Sequence, residues 1–169
     1  MVEQISLITE QIPHLRRYAA ALLADRDNAD DLVQECLARA ISRHHLWKPT
    51  GTVRTWLFTI LHNLHVNQIR DQKRKPEFLS DPVGYEQHGE LPRQENRLEV
   101  RDLQRALQKL PDDQRAVLLL VGLEGHSYAE VALIVDAPIG TVMSRLARAR
   151  DGLRKIMASQ SATDLKVVK

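Results

Sequence analysis

Apolar residues recur three and four positions apart in two long runs, separated by a stretch with no period. In the first run, Leu15, Tyr18, Ala19, Leu22 and Leu23 follow Pro13. That spacing predicts a helix with proline in its first turn, broken from any helix that begins near Ile5. The polar turn "ADRDN" leads to a second helix. Asn28 is placed to cap it, with Asp30 and Asp31 in the first turn, where the helix dipole favours anions. Ala29, Leu32, Val33, Cys36, Leu37, Ala40 and Ile41 form its expected buried stripe. Pro49 and Gly51 make "HLWKPTGT" a loop. Val53, Leu57, Ile60, Leu61 and Leu64 mark a long third helix that runs out into "NQIRDQKRK" and stops at Pro76.

The stretch "PEFLSDPVGYEQHGELPRQ" has three prolines, two glycines and several acids, and reads as a linker. The second run opens with Val100, Leu103, Leu107 and Leu110 at helical spacing. Pro111 starts the next helix, with Asp112 and Asp113 in its first turn. Ala116 to Val121 is a buried run, which "GLEG" ends. Ser127 and Glu130 form a capping box for a short helix carrying Val131, Ala132, Ile134 and Val135. "DAPIG" then turns into the last helix, and "ASQSATDLKVVK" reads as a loose tail. The fold class is therefore all-α: two small helical domains, 1–75 and 97–158, joined by a flexible linker at 76–96, with a tail at 159–169.

A short helix and a longer one across a tight turn make a helix-turn-helix. Advancing about 100° per residue from Val142 puts Leu146, Ala149 and Leu153 inward. Met143 falls on the flank. Gly140, Ser144, Ala147, Arg148 and Asp151 fall opposite the core, with Thr141 and Arg145 on the other shoulder. The first half of this helix is small, polar and cationic, as entry into a DNA groove requires. Arg148 can reach guanine edges or phosphate, Ser144 can make short hydrogen bonds, and the first amides can hold a phosphate.

Charge sharpens this picture. The net charge of +2 hides alternating blocks: −4 over residues 1–35, +7 over 36–75, −4 over 76–100, −2 over 101–137 and +5 over 138–169. Two basic blocks, each on a helical pattern, suggest two polyanion-binding surfaces. No apolar run approaches the roughly 20 residues of a membrane span, and "MVEQISLITEQIPHLRR" lacks the basic start of a secretory signal. A cytoplasmic protein with no membrane insertion is expected. The single cysteine, Cys36, allows no internal disulfide and no cysteine-only zinc cage. Its place in an apolar stripe points to an inert core thiol.

The first basic block differs in kind from the second. It combines Trp47 and Trp56 with a loop, the amides of Asn63 and Asn67, and a cationic end. Stacking platforms, amide hydrogen bonds and backbone-tracking cations are what proteins use to hold unpaired bases. Trp56 itself sits beside the apolar stripe and is better read as core. His62 and His65 share a helix but have no acidic or cysteine ligand nearby in sequence, so no metal is expected. Asp30, Asp31 and Glu35 have no nucleophile, histidine partner or phosphate loop beside them, so neither a catalytic residue nor a cofactor is expected.

Four segments carry a resemblance: "ADDLVQECLARAI" (29–41), "VRTWLFTILHNLHVNQIRDQKRK" (53–75), "LPDDQRAVLLLVGLEGHSYAEVA" (110–132) and "PIGTVMSRLARARDGLRK" (138–155). Together they resemble the extracytoplasmic-function sigma factors of bacterial RNA polymerase, in order across both domains. The resemblance implies that Asp31, Leu32, Gln34 and Glu35 bind the clamp helices of core RNA polymerase. It implies that Trp47, Lys48, Thr50, Thr52, Arg54, Asn63 and Asn67, with the cations Arg70, Lys73 and Arg74, open and hold the single-stranded −10 element. Gly140, Thr141, Met143, Ser144, Arg145, Ala147 and Arg148 would read the duplex −35 element, while the scaffold around them docks on the polymerase flap. It further implies control by an anti-sigma factor.

Two positions depart from that pattern. Many members of the family have Lys or Arg where this chain has Met143, and a larger residue at Ala147. Ser144 and Arg148, helped by Thr141 and Arg145, are then expected to carry more of the readout, with shape and apolar contact supplying the rest. A stand-alone helix-turn-helix repressor and a pure interaction module are the alternatives. The repressor gives no work to the Trp/Asn loop, and the interaction module would keep its partner when both basic blocks are neutralised.

Overall fold

The computed structural model describes residues 2–47, 51–74 and 94–167, and its regular elements among them are all helical. Helices α1 (Val2–Glu10) and α2 (Ile12–Leu23) meet at Gln11. Pro13 lies in the first turn of α2, where its missing N–H costs no hydrogen bond. α2 stops at Ala24, which takes a left-handed conformation (φ 51°) and returns its N–H to the Ala20 carbonyl.

Helix α3 (Arg26–Ser42) starts two residues before the expected cap. Asp25, not Asn28, is the cap, and its carboxylate accepts from the amides of Asp27 and Asn28 at 3.1 and 3.2 Å. The Asn28 side chain donates to Asp25 at 2.6 Å and so reinforces the cap it was expected to form. A carboxylate at the first position competes better for these amides because the helix dipole adds to its hydrogen bonds. Ala29, Leu32, Val33, Cys36 and Ala40 of the stripe are buried as expected, Leu37 is partly buried, and Ile41 is exposed. A single helical turn, His44–Leu46, follows, and then α4 (Val53–Arg74). Lys48 and Thr50 lie outside the described residues, as does most of the expected linker.

Helices α2, α3 and α4 pack around Leu15, Tyr18, Leu22, Leu32, Val33, Leu57, Phe58 and Leu61. Tyr18 meets Phe58 edge to face, with centroids 5.4 Å apart. The second half comprises α5 (Gln94–Gln108), α6 (Asp112–Gly122), α7 (Tyr128–Val135) and α8 (Ile139–Val167). Leu107, Leu110, Val117, Leu120, Val131, Ile134, Val142 and Leu146 fill its core. α5 contributes only its C-terminal end. Val100 and Leu103, expected in the stripe, are exposed. Arg115 is buried and donates to the carbonyls of Leu107, Gln108 and Leu110, which a helix end would otherwise leave unpaired.

The expected tail is instead the end of α8, which continues to Val167. No proline or glycine follows Gly152, and the hydroxyls of Ser159, Ser161 and Thr163 bond back to carbonyls four residues earlier. They therefore travel with the helix and do not cap a stop. The two halves also pack on each other: α2 lies against α5 and α6, and α4 against α7.

Candidate nucleic-acid interface

The helix-turn-helix is built as its spacing predicts. The Ser127–Glu130 capping box is present in both directions and fixes the start of α7. Asp136 ends α7 in a left-handed conformation (φ 51°), and the chain reverses through Ala137 and Pro138 into α8. The Pro138 carbonyl accepts from Thr141 and Val142 and starts the new helix. Val142, Leu146 and Ala149 are buried beneath it.

The outer row is Gly140, Met143, Ser144, Ala147 and Arg148, all exposed. Met143 is 52% exposed, and Ile139 and, on α7, Leu133 are exposed apolar residues as well. Sequence periodicity gave Leu133 no role, because an exposed leucine on a short helix has no signature of its own. The Ser144 hydroxyl donates to the Thr141 carbonyl at 3.0 Å, which leaves its oxygen free to accept. Arg148 has no ion pair among the described residues. Arg145 differs: its Nε lies 3.4 Å from an Asp113 carboxylate oxygen on α6. It is held on the shoulder, apart from the outer row.

On α4, Asn63, Asn67, Arg70 and Arg74 are exposed and fall on one face at 4-3-4 spacing. Lys73 is turned away from them toward a cleft between the halves, lined also by Leu22, His65, Gln108, Asp112 and Arg115. Thr52 caps α4, its hydroxyl accepting from the Thr55 amide at 3.1 Å. Trp47 is half-buried, and its indole N–H has no partner among the described residues. Trp56 packs against the core.

Arg54 is drawn onto the second half in this arrangement, with its side chain 30% exposed. It donates to the carbonyl and the carboxylate of Glu124 and lies over the Phe58 ring, 5.8 Å from its centroid. Glu124 has no exposed side-chain surface. It also takes Arg17 (2.9 and 3.1 Å) and His14 (3.2 Å) from α2. The contact raises the Arg17 pKa further, through the hydrogen bond and charge of Glu124. Sequence reading missed Glu124 because its partners lie 70 to 110 residues away.

Three histidines near this junction, His62, His65 and His126, have their pKa lowered. Burial, with His65 and Arg145 close by, lowers His62 to about 4. Burial likewise lowers His65 and His126. His65 is buried in the junction instead of facing outward on α4, because α4 turns that face toward the second half.

On α3, Asp31, Gln34 and Glu35 share the outer face with exposed Ile41. Glu35 pairs with Arg39 at 2.7 Å. Leu32 is fully buried and belongs to the core, since it sits on the inward side of the same helix as Val33 and Cys36.

Residues 8–62 match the family described as the sigma2 domain of PhyR, and residues 101–153 match sigma-70 region 4. The ECF RNA polymerase sigma factor EcfG of Rhodopseudomonas palustris is 38% identical over 157 residues, covering 93% of this chain and 86% of the relative. The probable RNA polymerase sigma-C factor of Mycobacterium bovis is 37% identical over 141 residues, with 79% and 72% covered. Among solved structures, the sigma factor RpoE from Bartonella quintana, in complex with the anti-sigma factor NepR, superposes with a TM-score of 0.79 at 34% identity. The likeness covers 94% of this chain and 98% of that one. CnrH, in complex with the cytosolic domain of CnrY, gives 0.68 at 25%, with 92% and 88% covered.

Two helical units with this order of sequence and surface define a sigma factor. The chain belongs to the ECF RNA polymerase sigma factors. It binds RNA polymerase and DNA and directs transcription initiation. Its relatives are sigma factors, which are not enzymes.

Proposed function

We propose that the chain divides this work between its halves at the residues named above. The first half, residues 1–75, contacts core polymerase through Asp31, Gln34 and Glu35. It holds the opened −10 strand on the face of α4 carrying Asn63, Asn67, Arg70 and Arg74, with the Trp47–Arg54 segment beside it. The second half places α8 in the major groove of the −35 element, and a linker over 76–96 spans the two. The observation that carries this reading is the outer row of α8: small, polar and apolar residues around one arginine without an ion pair. Such a surface lies close to base edges without steric obstruction. Arg148 supplies the charged contact, Ser144 accepts, and Met143 with Ala147 packs on thymine methyls or sugars. The role of Arg145 is to stiffen the approach, through Asp113.

No helix among the described residues is long and apolar enough to cross a membrane. A cytoplasmic location suits a protein whose partners are polymerase and promoter DNA. The likeness to RpoE bound to NepR supports control by an anti-sigma factor. Permanganate footprinting of a target promoter with holoenzyme tests the division of labour. Asn63→Ala with Asn67→Ala is expected to reduce −10 thymine reactivity while leaving −35 protection in place. Arg148→Ala is expected to lose −35 protection first. Loss of both signals together in each variant would contradict the division.

A further inference from the structure

Helix α4 has two faces, and nucleic acid accounts for only one of them. Its inward row runs through Leu57, Phe58, Leu61 and Leu64, all buried. The row then turns polar: His65, Gln68 and Gln72 continue it at helical spacing, with Ile69 beside them. Polar residues that continue a core row are unusual unless they have hydrogen-bonding work to do. They line one side of a cleft of about 580 Å³, whose other walls include Leu22 of α2, Gln108 of α5 and Arg115 of α6. That size falls within the roughly 300–1,000 Å³ of small-molecule sites. The floor of the cleft is polar and enclosed. His65 is 4% exposed, and neither of its ring nitrogens has a hydrogen-bond partner among the described residues. Arg115 directs its terminal nitrogens to helix-end carbonyls and to Asp112, but its Nε is enclosed without a partner. Buried polar atoms in folded proteins nearly always have partners. Gln108 donates its amide hydrogens to the Ala21 and Leu22 carbonyls, at 3.3 Å each, which leaves its amide oxygen to accept. The rim is exposed, and Lys73 stands on it without an ion pair among the described residues.

We propose that this cleft binds a nucleoside monophosphate, with its base against His65 and the glutamine amides and its phosphate at Lys73. A nucleobase is a flat ring with donors and acceptors along its edge, which amide groups and ring nitrogens complement while apolar side chains cover its faces. Ile69 and Leu22 supply apolar surface in the cleft, and Gln68 and Gln72 supply both donors and acceptors. Burial lowers the His65 pKa, which favours the neutral ring with one donor and one acceptor. Charge sets the number of phosphates. Arg115 is matched by Asp112, so Lys73 is the unmatched cation of the cleft, a point charge suited to a single phosphate. Inorganic phosphate alone would leave the polar floor without partners. Advancing about 100° per residue puts His65, Gln68 and Gln72 on the side of α4 opposite Asn63, Asn67, Arg70 and Arg74. The ligand therefore occupies a surface separate from the face assigned to the −10 strand, and the site does not depend on that assignment.

Isothermal titration of the free full-length protein tests this, with the common ribonucleoside monophosphates, their nucleosides and inorganic phosphate as probes. At least one nucleotide is expected to bind one to one, at least about tenfold more tightly than its own nucleoside or inorganic phosphate. Lys73→Met is expected to weaken that nucleotide to the level of its nucleoside and to leave the nucleoside unchanged. Gln72→Leu is expected to weaken nucleotide and nucleoside alike, by about fivefold to tenfold, the effect of losing one hydrogen bond. Both residues are exposed, so circular dichroism should not change in either variant. Arg70→Ala, on the opposite face of α4, is expected to keep nucleotide affinity within about twofold, because solvent screens exposed charges at that distance. Absence of binding by every one of these nucleotides up to millimolar concentration overturns the assignment. Inorganic phosphate binding as tightly as the nucleotide overturns it too. So does an affinity that falls with Arg70→Ala but not with Gln72→Leu, since the nucleotide would then sit on the nucleic-acid face.

Discussion

On the proposed reading, single side chains on α8 decide how the −35 element is read. Arg148→Ala should weaken binding of a −35 duplex by about 1–3 kcal/mol and relax preference at one base pair, measured by titration at fixed salt. Met143 predicts a different signature. Replacing thymine by uracil at the contacted step should weaken the wild type but leave Met143→Ala unaffected. Both expectations were legible in sequence, because α8 is regular and its inward residues Val142, Leu146 and Ala149 fix the angle of every other position. Cys36 was legible on the same ground. It donates to the Leu57 carbonyl at 3.4 Å, and burial pushes its thiol up to about 12. The native protein should resist alkylation at pH 8, where only the thiolate reacts, and become reactive on unfolding in urea. Leu32 and Glu124 were not legible. The family resemblance marks a segment of α3 but not which side of it faces outward, and the partners of Glu124 are remote in the chain.

At the level of elements, caps and buried titratable groups set stability. Asp25→Ala removes the cap of α3 and should cost about 1 kcal/mol in chemical denaturation, whereas Asn28→Ala should cost less. The α4 histidine His62 makes stability depend on pH. Its folded value of about 4 lies below the usual 6.5, so the unfolded chain takes up the proton first as pH falls. Its contribution is complete above about pH 6.5 and is lost between there and pH 4, amounting to about 1–3 kcal/mol for a ring that is only partly enclosed. His62→Gln should flatten that slope in thermal melts. Helices α2, α3, α4 and α7 were readable because their apolar periods are strong. The tail was not, because its serines and threonine look like a stop until their hydroxyls are seen bonding back along α8. α5 misled in the opposite way. Its apolar spacing is regular, yet Val100 and Leu103 remain exposed.

The whole molecule combines two basic surfaces on one chain, with a packed junction between the halves that carry them. Sequence indicated the two units and the linker but not the packing of one unit on the other. That packing depends on Arg17, Arg54 and Gln108 reaching across the junction, and no periodic signal marks those residues. The most direct measurement of the central claim is run-off transcription with core RNA polymerase lacking any sigma factor, on templates with and without a −35 and −10 pair recognised by this chain. Adding the protein should produce a promoter-specific transcript that disappears when either element is scrambled. Tight binding of the protein alone to duplex DNA, with no transcript at any concentration of core, would contradict it.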